Sequence, residues 1–435
     1  MKEQNNEEIL LERKEPEKRS RKSRFLIFLI FFILSNLLEN NEEIIFSQIS
    51  NTNKKDYFIF SNFLYIIVLQ IENRKNVTFA FFLIIGIFYI ILSLCQNIKI
   101  FMVAKLFISG LQHYKDIFIP VWIDQFGIKR YKTLLMYIYL NNLFGNIISK
   151  LAKIIINLNI WNINCLIFGI LIIILDCLLL FFHKIYFSMN YNFVGYKLEG
   201  KEEYINSENG QESFFEKQED KNNSSEDGFL KTIIKNKIYI FSVMTLFFYS
   251  FSYKFFLVDI SFISISFISF INNAISYVLF FGGICILCLG GYENKNSTVF
   301  LGISSIISFF SLLIIVFSTQ IFMFFVFLFI FFSLPMITII KCYVISSLPN
   351  KFRGSGFAFS SLLENISLMI SPIFSEFLTK NYHNNINYLE LNFYIIIYIV
   401  AFICCLLLLY YKCKDNQKEA KKDDEKELEN IENIS

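Results

Sequence analysis

Apolar runs of helical length recur from residue 25 to residue 411, broken by short polar loops. Their boundaries predict helices over 25–49, 57–71, 77–95, 98–123, 133–156, 161–182, 238–260, 265–289, 298–317, 321–346, 354–378 and 392–411. A helix needs about 20 apolar residues to cross the hydrocarbon of a bilayer. Lipid also forces every backbone polar group to pair within its own segment, which leaves helices as the solution for runs of this kind. The pattern therefore predicts an all-α polytopic membrane protein with twelve spans. Two of these are weak. The first carries Glu39, Glu42 and Glu43 in its distal half, and 57–71 is short for a full crossing. If either fails to cross, the count falls to eleven or ten. The run after the polar residues 1–24 has no small-residue cleavage site behind it, so it reads as a first membrane helix and not as a signal peptide.

Composition agrees with the pattern. Hydrophobic residues make up 55% of the 435, Phe alone accounts for 54, and mean hydropathy is +0.50. Charge is confined mostly to residues 1–24, 195–237 and 412–432, where Lys and Glu are mixed. Such segments are solvated tails and linkers, not nucleic-acid arms. The nine Cys lie mostly within apolar runs and form no extracellular framework. Cys285 and Cys288 make a C-x-x-C, but inside an apolar helix, where packing competes with zinc or redox use.

Lys and Arg in the short loops set orientation. With the N-terminus inside, the inner loops hold Arg74, Lys75, Lys129, Arg130, Lys132, Lys295, Lys351 and Arg353, and the outer loops hold Lys54, Lys55, Lys99 and Lys380. That imbalance puts both termini in the cytosol. Residues 184–237 are rich in Glu and Asn and read as a cytosolic linker. The chain then divides into a tail (1–24), a six-helix bundle (25–183), the linker (184–237), a second six-helix bundle (238–411) and a tail (412–435). Two loop signatures repeat across that division. Glu72-Asn73-Arg74-Lys75-Asn76 is matched by Glu293-Asn294-Lys295-Asn296, and Lys129-Arg130 by Lys351 and Arg353. The near-equal offsets are what a duplicated half would leave, although Glu, Asn and Lys are common in every loop here.

Several local motifs support a family resemblance. Asn36, Leu38 and Glu42 resemble an Asn-x-Leu-x-x-x-Asp-Arg segment, with Glu43 in place of the Arg. Lys105 and Gly110, then Pro120, Asp124 and Phe126, resemble an Arg-x-x-x-x-Gly stretch followed by Pro and Asp-x-Phe. Gly145, Gly282-Gly283 and Leu348-Pro349-Asn350-Lys351-Phe352-Arg353-Gly354 add further partial matches. Together they resemble the major facilitator superfamily, and within it the spinster-like branch. The resemblance implies two six-helix pseudo-repeats and transport of an amphipathic or lysolipid-like solute, driven by a proton or Na⁺ gradient. It implies no cofactor. It also marks Gln112 as standing where that branch carries a membrane Glu. Of the superfamily's Gly-x-x-x-Asp-Arg-x-Gly-Arg-Arg loop, Glu72, Arg74 and Lys75 remain.

Polar residues within the spans are the candidates for chemistry, since charges in hydrocarbon usually face a cavity or a partner. His113 and Asp116 are three apart on one helical face. They read as a proton relay or cation site, or else Asp116 forms a structural ion pair, for instance with Lys254. Lys150 could hold an anionic head group or snorkel to the interface. Glu39 and Glu42 make a polar stripe if the first helix extends that far, and an exposed loop if it does not. Asp176, Lys341, Glu364 and Asn365 are single polar points for which an interhelical bond is the default. The three His are far apart and no hydrolase, zinc-protease or P-loop spacing occurs, so neither an enzyme nor a metal site is expected. An acyl-transfer role for His113 is the one enzymatic alternative. The reading is an alternating-access transporter of a small organic solute, with membrane lipid and solute as partners and no nucleic acid. The alternative is a transport-inactive relative serving as a receptor or scaffold. The compartment, plasma membrane or endolysosomal, stays open.

Overall fold

The computed structural model describes residues 21–38, 65–69, 71, 74–94, 98–126, 134, 137, 161–187, 191–193, 215–217, 229–259, 294–317, 322–381 and 386–432. The helices are α1 (21–38), α2 (Arg74–Leu94), α3 (Ile98–Phe126), α4 (Trp161–Leu179), α5 (Phe229–Lys235), α6 (Lys237–Asp259), α7 (Asn294–Phe317), α8 (Phe322–Ser346), α9 (Asn350–Asn381) and α10 (Ile386–Glu432). A helical turn covers 65–68 and a 3₁₀ turn covers Lys184–Phe187. One short antiparallel pair, β1 (Tyr191–Phe193) with β2 (Phe215–Lys217), sets Asn192 opposite Glu216. Among the described residues everything else that is regular is helical.

These helices are inverted relative to those of a water-soluble bundle. On α4 the buried stripe is Cys165, Gly169, Ile172, Asp176 and Leu179, while Ile163, Ile167, Ile170, Ile174 and Leu178 are exposed. On α7 the buried face carries Ser304, Ser305, Ser308 and Ser311, while Val299, Ile303, Ile306 and Phe310 face outward. Apolar side chains that gain nothing from water, set around a core containing hydroxyls, are what a lipid surround selects. Arg74–Leu94 and Ile395–Gln417 are each long and apolar enough to cross a membrane.

The chain forms two units. The first comprises residues 1–137, 144–227 and 349–359, and the second residues 138–143, 228–348 and 360–435. In the first unit α2 lies along α4 at very short range. A Cβ on Gly169 would meet the Gly86 carbonyl oxygen at 2.8 Å and the Ile90 nitrogen at 3.1 Å. The two glycines let the helix backbones touch, as small residues do in lipid-embedded helix pairs. Lys75 staples the far end of the seam, its ammonium donating to the carbonyls of Leu180 (2.7 Å) and Phe182 (2.5 Å). The 3₁₀ turn then tucks Ile185, Tyr186 and Phe187 into the core, and the Trp122 indole N–H donates to the Tyr186 carbonyl at 2.7 Å. Phe31 of α1 packs edge-on against Phe118, Trp122 and Phe187.

In the second unit α6 runs along α10 and α7 along α8. Asn236 caps α6, its side-chain oxygen accepting from the Tyr239 N–H at 3.0 Å while its amide donates to the Ser347 carbonyl. Tyr249 and Tyr398 meet across the α6–α10 seam, and Phe309 of α7 stacks on Phe402 of α10 with centroids 4.6 Å apart. The hydroxyls of Thr298 and Tyr343 join α7 to α8 at 3.0 Å. Ser371 of α9 donates to the Phe251 carbonyl of α6.

Several expectations change. The predicted loops 72–76, 290–297 and 347–353 are partly helical, because α2, α7 and α9 begin at Arg74, Asn294 and Asn350. The tail 412–435 is helix through Glu432. It contains neither Gly nor Pro and is rich in Lys and Glu, so nothing stops α10 where its apolar run ends. The segment 184–237, expected as an unstructured linker, contains the 3₁₀ turn, both strands and α5.

Candidate functional site

Polar side chains of the first unit gather at two levels. The first lies at the C-terminal end of α3. The carboxylate of Asp124 pairs with the guanidinium of Arg353, in the first turn of α9. Both side chains are largely buried. A paired Arg in a desolvated setting forms stronger, more directional bonds than Lys can. Two further contacts tie down the same turn of α9, and a third bond braces the residues they meet. The Ser355 hydroxyl donates to the Ile66 carbonyl at 2.8 Å. Arg74, almost wholly buried, donates to the Leu69 carbonyl at 2.9 Å. Gly354 sits against both residues, where a Cβ would meet the Leu69 Cβ at 3.0 Å and an Arg74 terminal nitrogen at 3.3 Å. Arg24 of α1 completes the level by donating to the Phe126 carbonyl, one of the orphan acceptors at the end of α3.

The second level is the middle of α3. Asp116 accepts from the Lys115 ammonium at 2.7 Å on one carboxylate oxygen and lies 3.2 Å from His113 Nδ1 on the other. Lys115 is buried, whereas the Asp116 side chain is 41% exposed, so the carboxylate keeps lone pairs on its open side. Pro120 lacks an N–H, so it also deprives the Asp116 backbone carbonyl of its helical donor. The amide nitrogen of Gln112 donates to the Leu38 carbonyl at 3.0 Å, joining α3 to the end of α1. Asn36 bonds back to the Phe32 carbonyl at 2.8 Å. Above Gly110, whose carbonyl accepts from the Tyr65 hydroxyl, lies an aromatic group: Tyr114 stacks on Phe81 at 4.5 Å and its hydroxyl meets Thr78 at 3.0 Å.

Of the residues singled out from sequence, Asp116 and His113 are together, with Lys115, a charge of the same helix that the sequence did not mark as their partner. Asp124, Arg353 and Gly354 are also together. They were marked separately by resemblance, and the structure makes them one arrangement. Lys105 and Lys254 are helical, in α3 and α6, with side chains outside what is described. Glu39, Glu42, Gly145 and Lys150 lie outside the described residues. In the second unit Lys341 of α8 and Glu364 of α9 form an ion pair at 3.1 Å. Asp176 departs from the expectation of a satisfied interhelical bond: it is fully buried, and among the described residues neither carboxylate oxygen has a hydrogen-bond partner. Among the described residues no group of three His, Cys, Asp or Glu could hold a metal ion.

Residues 217–433 match the family model described as Major Facilitator Superfamily. The structure of FucP, a major facilitator transporter in the outward conformation, aligns with a TM-score of 0.61 over 89% of this chain and 98% of that one, at 13% identity. This is the major facilitator fold. The human organic anion transporter MFSD10 (TETRAN) aligns at 0.56 and 11% identity, covering 90% of this chain and 96% of its own. The proton:xylose symporter XylE, bound to 6-bromo-6-deoxy-D-glucose, aligns at 0.55 and 12% identity, over 91% and 96%. No curated protein matches the chain. The family whose model matches residues 217–433 is one of multi-pass membrane transporters.

Proposed function

We propose that the chain is a secondary active transporter that moves a small organic solute by alternating access. In this reading it has twelve spans in two six-helix pseudo-repeats, with both termini in the cytosol. The observation that carries it is the set of bonds around Arg353, on a fold shared with solved symporters. A transporter of this kind must close one end of its path with contacts strong enough to hold and few enough to release. Asp124–Arg353, Ser355–Ile66 and the close fit of Gly354 against Arg74 have that character. The open side of Asp116, braced by Lys115 and His113, is the place for a cation or for the coupling proton. The motifs in α1 and α3 favour an amphipathic, lysolipid-like solute of the spinster-like branch. The solved neighbours are transporters of fucose, xylose and organic anions, which widens the screen to sugars and organic acids.

The test is uptake by the full chain in proteoliposomes under an imposed proton or Na⁺ gradient, across lysolipids, sugars and organic anions. Gradient-dependent uptake that collapses in Asp116→Asn or Glu42→Gln supports the reading. Gln112 favours a second one. Its amide is spent on the Leu38 carbonyl where the resemblance expects a titratable Glu. A transport-inactive receptor or scaffold would show solute binding, or none, and no gradient-driven uptake in the whole screen.

A further inference from the structure

We propose that Asp176 is a proton-binding site built into the seam between α2 and α4, and that Lys75 responds to its charge. Asp176 lies on the buried stripe of α4, the same face on which Gly169 touches the backbone of α2. Its side chain has no exposure and both oxygens lack a hydrogen-bond partner. Among the described residues, the charged groups at this end of the seam are Arg74 and Lys75 on α2, and Lys184 beyond the end of α4, with His183 beside it. Arg74 donates to the Leu69 carbonyl, and Lys75 to the carbonyls of Leu180 and Phe182. His183 Nδ1 accepts from the Ile185 N–H, and Lys184 is exposed. None of the four forms an ion pair with Asp176.

An ionised carboxylate in such a place is shut off from bulk solvent and has no counter-charge among the described residues, and its neutral acid is far less costly to bury. A metal cation is the wrong ligand, because Na⁺-like and divalent ions need several oxygens converging at once. A proton needs one oxygen. Once bound, it turns Asp176 into a donor able to reach back to the Ile172 carbonyl one turn earlier, as buried helical Ser and Thr do. Asp176 precedes Leu180, whose carbonyl Lys75 holds, by one turn of α4, so loss of the proton puts a full negative charge on the helix end that Lys75 braces. Lys75 then has a stronger acceptor than the carbonyls of Leu180 and Phe182. Those carbonyls belong to the turn leading into Lys184–Phe187, whose Tyr186 carbonyl holds the Trp122 indole. Proton release at Asp176 therefore loosens the end of α4 against α3. None of this depends on whether the chain transports.

Infrared spectroscopy of the purified full chain in lipid nanodiscs tests it, because a protonated carboxyl has a carbonyl stretch distinct from that of a carboxylate. The expected result is a protonated-acid band at neutral pH that disappears in Asp176→Asn. Asp176→Glu keeps an acid and is expected to shift the band without abolishing it, which covers a failure of the Asn variant to fold. Lys75→Gln is expected to extend the band to higher pH, since the ionised form loses its partner. Absence of the band at neutral pH, or its persistence unchanged in Asp176→Asn, overturns the site. An unaltered pH range in Lys75→Gln overturns the coupling to Lys75. A failed uptake screen leaves the band in place, so the two proposals fail separately.

Discussion

At the scale of single residues, the polar groups of this chain behave as pairs that sequence position does not reveal. Lys341 and Glu364 are each the sort of lone charge that a membrane helix tolerates only with a partner, and 3.1 Å separates them across α8 and α9. Removing one leaves the other uncompensated in a largely desolvated place. Lys341→Met and Glu364→Gln are therefore expected to lower the detergent melting temperature more, summed, than the double variant does. A double-mutant cycle should return a coupling of about 0.5–3 kcal/mol, the range for directly bonded neighbours. A coupling near zero would mean the pair is incidental. The sequence offered a usable signal here, one unlike charge in each of two successive apolar helices, but not the rotation of either helix. For Asp116 one expected alternative was a partner on another helix, Lys254, whose side chain lies outside the described residues. Among the described residues Asp116 pairs with Lys115 and His113 on its own helix.

At the scale of elements, most helices were legible and their ends were not. Runs of Ile, Leu and Phe locate α2, α4, α6 and α8 to within a few residues. Ends depend on caps and on helix-breaking residues beyond the apolar run. α10 runs 21 residues past the predicted end of its span at 411 because nothing breaks it. Glycine spacing, by contrast, can be read only once the facing helix is known. Gly86, Gly169 and Gly302 look alike in sequence, yet they predict different costs. A Cβ at Gly169 strikes backbone atoms of α2, a Cβ at Gly86 first strikes the movable Cγ1 of Ile173 at 2.6 Å, and a Cβ at Gly302 meets only Leu409 at 3.6 Å. Gly169→Ala is expected to cost about 1–3 kcal/mol by overpacking, with Gly86→Ala milder and Gly302→Ala near neutral. Thermal unfolding of the three variants in one detergent checks the order. Equal melting temperatures for Gly169→Ala and Gly302→Ala would show that α2 and α4 are not in contact in the membrane.

At the scale of the whole molecule, the chain crosses from the first unit to the second within α9, between Phe359 and Ser360. Its opening turn is bonded by Asp124, Leu69, Ile66 and Arg74, and its later turns by Phe251 and Lys341. One continuous helix thus carries the bonds of both units, and the Asp124–Arg353 pair decides whether its opening turn stays with the first. Asp124→Arg places two like charges together in a largely buried spot and should release that end of α9; Arg353→Asp should do the same. The exchange, Asp124→Arg with Arg353→Asp, restores an attractive pair of the same two groups and should recover much of the loss. A cysteine at position 356, probed with a membrane-impermeant thiol reagent applied to each face in turn in a background lacking other accessible thiols, reads the release directly. Labelling should rise severalfold in each single reversal and fall back in the exchange. If the exchange labels as fast as the single reversals, geometry and not charge holds that turn. Gly354 against Leu69 and Arg74 then becomes the closing contact, and Gly354→Ala should reproduce the release by itself.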